Sequence, residues 1–173
     1  MSPSNPDALA VTRPVLRVLI VLNLLLGLLI LGLLTATLVA EASVMKALGV
    51  GPTDGTALIW GMRLIMVLWI CARPLTHVIL TRLLEIVETV RAGDPFVVEN
   101  AVRLRRIAWT VLGLELLHLA IGAVIAGMST AGHTHDMKWS FSVTRWLAVL
   151  LAFVLARVFE QGTRMREDLA GTV

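Results

Sequence analysis

The chain has 173 residues, 57% of them hydrophobic and 16% charged, with a mean hydropathy of +0.85. An average soluble domain is about 45–50% apolar and about 25% charged, and one this small has too little interior to hide the excess. The same figures exclude a disordered chain, and a single cysteine, Cys71, excludes a disulfide-stapled scaffold. What remains is an all-α integral membrane protein with several spans. The net charge of +3 is that of many nucleic-acid binders, but in a membrane protein the placement of Lys and Arg matters more than their sum. No direct nucleic-acid binding is expected.

Residues 1–12, with Ser, Pro, Asn and Asp clustered early, read as a flexible leader before a single transmembrane domain, 13–173. The first span is expected at about 15–39, an apolar run broken by Arg17, Asn23 and a few small residues. It is long enough to cross a hydrocarbon core, which takes about 20 residues. Ala40-Glu41-Ala42 resembles a signal-peptidase site, but the run exceeds the ~7–15 residues of a signal-peptide core, so it is expected to be retained.

The second span is expected at about 57–79, although it carries Arg63, Arg73, Pro74 and His77. Beyond it, Leu80, Leu83, Leu84 and Val87 keep the spacing of an amphipathic helix whose wet face holds Arg82, Glu85, Glu88 and Arg91. Gly93 suits a helix C-cap, Asp94-Pro95 a turn, and a second helix starts at Val98. Residues 80–106 are thus expected to form a helical hairpin that extends spans two and three. Span three follows at about 107–128, with Glu115 and His118 inside, and span four at about 142–160, with Arg145 and Arg157.

The loops on one side of these spans hold nine cations: Arg13, Arg17, Arg82, Arg91, Arg103, Arg105, Arg106, Arg164 and Arg166. The opposite loops hold two, Lys46 and Lys138. The positive-inside rule places both termini and the hairpin in the cytoplasm.

At 100° per residue each span carries one small or polar stripe, the pattern of a compact four-helix bundle with a polar interior. Asn23, Arg73, Glu115, His118 and Arg157 form the expected buried polar layer, with Glu115 paired to Arg73 or Arg157. Glu115 and His118, three residues apart, suit either a proton or ligand site or a structural ion pair that fixes register. A bis-histidine haem is not expected, because His77 and His118 differ in depth by roughly nine residues, about 13 Å. His133, His135 and Asp136, with Met137, are weak candidates for a transition-metal site, against the simpler reading of a solvated polar loop. No phosphate loop, nucleophile elbow or His-Glu-x-x-His is present, so no cofactor and no enzymatic activity are expected.

Two segments carry a family likeness. One holds Gly93, Pro95-Phe96, Asn100, Arg103-Leu104-Arg105, Ile107 and Trp109. The other holds Val158-Phe159, Gly162 and the final Thr172-Val173, with Met165 where leucine is common. Together they resemble the bacterial membrane family called domain of unknown function 2975. The resemblance implies a four-span inner-membrane protein without established chemistry, often encoded beside a small Cro/CI-type helix-turn-helix regulator. A regulatory or sensory membrane protein is therefore the first expectation, with Phe96, Glu99, Arg103, Arg105 and Arg106 of the hairpin as its docking surface. The competing use of those arginines is contact with anionic lipid headgroups of the bilayer. A small proton or solute permease built on the buried charges and a periplasmic metal sensor are the alternatives.

Overall fold

The computed structural model describes residues 6–47, 55–130 and 142–170, all of them helical or in short connections. Five helices follow in order: α1 (Pro6–Val39), α2 (Glu41–Ala47), α3 (Gly55–Arg91), α4 (Val98–Thr130) and α5 (Val143–Ala170). α1 begins well inside the expected leader, so residues 6–12 are helical. α2 was not expected; it continues the path of α1 past a bend at Ala40, where Ala40 N–H donates to Ala36 O and Val44 N–H to Ala40 O.

Among the described residues three helices are long and apolar enough to cross a membrane, over Val11–Val39, Leu58–Arg91 and Val98–Met128. α5 is not among them; Arg145, Arg157 and Glu160 interrupt its apolar stretch. α3 has 37 residues, about 55 Å at 1.5 Å per residue, against about 30 Å of hydrocarbon. One end of it must therefore stand clear, and its charged end, Arg82 to Arg91, is the one that can.

Packing runs in a row. Among the described residues α1 packs on α3, α3 on α4 and α4 on α5, while α1 and α5 do not meet. The compact bundle with an enclosed polar interior is thereby corrected: each polar stripe is shared by two neighbours rather than turned to a common centre. α1 buries Leu16, Asn23 and Thr37, spaced by seven and fourteen residues, and α5 buries Val149, Ala156 and Thr163, spaced by seven. A seven-residue repeat gives a single narrow seam. On α5 the seam position is Val149, and its neighbour Ala148 is exposed. The leucines off the seams, such as Leu28, Leu29, Leu147 and Leu151, are exposed, as lipid-facing residues would be.

The α3–α4 connection is tightly specified. Asp94 N–H reaches back to Thr89 O and Gly93 N–H to Val90 O, the paired bonds of a Schellman cap. Gly93 sits at φ +92°, the only positive φ among the described residues, and nothing stands within 4 Å of the Cβ it lacks. Gly93→Ala therefore has a conformational cost alone. We expect it to destabilise the fold by about 1–2 kcal/mol, read as a lower unfolding midpoint in detergent. No change would mean that the cap does not need a left-handed residue.

Candidate functional site

At the charged end, the polar face of α3 is tied to α4. Arg82 donates to both oxygens of Glu85 at 3.0 and 2.8 Å, and Arg103 Nε donates to Glu85 Oε2 at 2.9 Å. Burial raises the Glu85 pKa, but the hydrogen bonds and charges of Arg82 and Arg103 together outweigh it and hold the carboxyl below its ordinary value. Asn100, fully buried, joins the turn to this cluster. Its amide donates to Thr89 Oγ1 at 2.7 Å and to Pro95 O at 3.0 Å, and its Oδ1 accepts from Arg103 at 2.9 Å. α1 joins through Arg13, 3.1 Å from Glu88.

α5 is clamped to the same turn. The Phe96 ring stacks on Phe159, centroids 5.4 Å apart. It also lies against Gly162, where an added Cβ would stand 3.4 Å from the ring. Arg166 pairs with Asp94. Phe96, expected as part of the docking surface, is 45% exposed but packed on α5. Of the residues that carried the family likeness, Phe96 of the turn thus touches Phe159 and Gly162 of α5.

One match outside the chain agrees. A family model described as a protein of unknown function (DUF2975) matches residues 35–173. The chain belongs to this family. No curated protein and no solved structure matches. The matched span includes the clamp in full, Asp94 and Phe96 with Phe159, Gly162 and Arg166, but leaves out Asn23.

Beside the clamp shallow grooves open between α4 and α5, and two of them are lined by Arg105. One, of about 250 Å³, is lined by Val98, Ala101, Val102 and Arg105 of α4 and by Glu160, Thr163 and Arg164 of α5. The other, of about 610 Å³, runs from Arg105, Arg157 and Glu160 to Trp109 and Phe153. Glu160 accepts from Arg164 at 2.8 Å and from Arg157 at 3.5 Å. Arg105 and Arg106 make no ion pair among the described residues, whereas Arg103 is spent on Glu85 and Asn100. Glu99 is exposed in the first turn of α4.

Further along the helices a belt of polar and aromatic contacts crosses the row. Asn23 of α1 donates to Arg73 O at 3.1 Å, and the Arg73 guanidinium lies 5.2 Å from the Trp69 ring centre on α3. Gly27 admits the Arg73 stem, which would stand 3.3 Å from a Cβ there. Trp69 meets His118 of α4 edge to face at 5.9 Å. Glu115, buried, has His118 Nδ1 at 3.5 Å and Arg145 Nε of α5 at 3.6 Å.

The expected pairing of Glu115 with Arg73 or Arg157 is corrected here. Arg145 takes that place, and Arg157 lies 75% exposed beside Glu160. The reason is register. The Phe96–Phe159 and Asp94–Arg166 contacts pin α5 to the turn, so Arg157 falls near the level of Arg105, about 18 Å along the helix from Arg145. Trp69 and Arg145 complete the belt; their polar or aromatic character inside apolar runs was the only sequence signal for them.

A second polar seam joins α1, α2 and α3 beyond the belt. Buried Arg63 donates to Thr37 O and to Glu41 at 2.9 Å, and its guanidinium stands 5.4 Å from the Trp60 ring centre. His133, His135 and Asp136 lie outside the described residues, and among the described residues no three His, Cys, Asp or Glu side chains could hold a metal ion.

Proposed function

We propose that the chain crosses the bacterial inner membrane four times, with both termini and the α3–α4 turn in the cytoplasm. There it serves, without enzymatic chemistry, as the membrane partner of a small cytoplasmic helix-turn-helix regulator. The nine-to-two cation asymmetry supports the orientation. The exposed Leu147, Leu150, Leu151, Val154 and Val158 support α5 as the fourth span. The partner reading rests on one observation, the smaller groove. Val98 and Val102, 49% and 57% exposed, stand one turn apart with Arg105 and Arg164 at their edges, beyond Trp109 on the charged side. An apolar strip edged by cations fits an amphipathic helix with acidic flanks. Docking therefore moves from the Phe96 tip to the groove behind it.

Labelling tests the topology. On a Cys71→Ser background, Lys46→Cys should react with an impermeant thiol reagent applied outside intact cells, and Glu99→Cys only after the cells are opened. The reverse pattern would invert the orientation. For the partner, affinity capture from detergent-solubilised cells should recover a small regulator with the wild type and with Arg106→Gln. Val102→Asp and Arg164→Glu should lose it at unchanged protein level. Capture surviving both changes would remove the groove from the mechanism.

A further inference from the structure

The larger α4–α5 groove has the make-up of a lipid site. In antiparallel helices, four residues back along α4 and four forward along α5 are steps in the same direction. Trp109 and Phe153 meet edge to face, centroids 5.2 Å apart. One turn from each, on the charged side, come Arg105 and Arg157, about 6 Å further along. The groove therefore has a cationic end, an aromatic wall, and a floor opened by the small buried Ala156. Trp109 is 59% exposed and sits where the apolar run of α4 gives way to Arg105 and Arg106, the position of an interfacial tryptophan.

Charge at the cationic end is unbalanced. Arg105 has no ion-pair partner among the described residues, and Arg157 holds Glu160 only at 3.5 Å. Glu160 is already taken at 2.8 Å by Arg164. Two guanidinium groups, Arg105 and Arg157, thus face one carboxylate in the lining, Glu160, which Arg164 already holds, so this end of the groove is net cationic.

We propose that this groove binds an anionic glycerophospholipid of the inner leaflet, its phosphodiester between Arg105 and Arg157 and an acyl chain along Phe153, Val154 and Trp109. The inner-leaflet placement rests on the proposed orientation, and the two grooves share Arg105 and Glu160; Arg157, Trp109 and Phe153 line only this one, and Val98 and Val102 only the smaller, so Arg157→Gln tests the lipid site apart from the partner reading.

Native mass spectrometry of the full chain in mixed micelles, with phosphatidylglycerol and phosphatidylethanolamine at equal concentration, tests it. The wild type should carry phosphatidylglycerol selectively. Each arginine near a surface contributes about a fivefold gain toward an anionic lipid, so Arg157→Gln should weaken retention about fivefold and Arg105→Gln/Arg157→Gln about 30-fold. Arg106→Gln, an unpaired cation outside the groove, should leave retention unchanged. Arg157→Lys should keep most of it. If the double variant does not fold, Arg157→Gln at its exposed position carries the test. Equal loss in Arg106→Gln would show a diffuse charge effect and overturn the site. Equal retention of the two lipids would overturn it as well. Displacement of the lipid by millimolar inorganic phosphate would assign the groove to a soluble anion instead.

Discussion

Asn100→Ala should be among the most damaging single substitutions in the chain, at about 2–4 kcal/mol. The side chain is fully buried and makes three hydrogen bonds, to Thr89, Pro95 and Arg103. Truncation leaves the Pro95 carbonyl and one Arg103 donor without their partner and opens a cavity. Thermal unfolding in detergent should show a lower midpoint together with faster proteolysis at 92–97. A loss below about 1 kcal/mol would mean that the turn holds without the asparagine. Acid should weaken the same cluster. The Glu85 carboxyl titrates below its ordinary value of 4.5 in the folded chain, so its contribution is present above that value. It is lost as pH falls through the lowered folded value. Glu85→Gln should flatten this acid dependence.

A double-mutant cycle at the belt should separate Arg145 from Arg157. Glu115→Gln leaves Arg145 beside a neutral amide in the α4–α5 seam. The cost should be about 2 kcal/mol, less than the 3–5 kcal/mol of a fully buried pair, because Arg145 is 39% exposed and 3.6 Å away. Arg145→Met should cost a similar amount. The two changes together should cost less than their sum, with a coupling of about 1 kcal/mol, whereas Glu115→Gln and Arg157→Met should add. Additivity with Arg145 would break the belt as described here. The same variants test the permease alternative, for which Glu115 and His118, 3.5 Å apart in the span, are the observation in favour. Proton flux in liposomes that depends on Glu115 would support it.

Sequence composition alone was enough for the helical, membrane-spanning character, since no soluble core of this size could absorb so much leucine and valine. The start of α4 at Val98 and the glycine cap at Gly93 were also legible, because both depend on neighbours within a turn. The polar stripe on α1, Asn23 to Thr37, was legible too, because helical periodicity is a local property. Register between helices was not. Depth counted from expected span ends set Arg157 beside Glu115, but α5 runs on to Ala170 and is held at the turn by Phe96 and Asp94. That contact joins residues more than 60 positions apart and slides every α5 side chain relative to α4. Nor could periodicity say that α1 and α5 stay apart. A stripe shows which face of a helix is buried and not which neighbour covers it. Only the tertiary packing turned four stripes into a row, put Arg145 on Glu115, and set Arg105 and Arg157 side by side beneath Trp109.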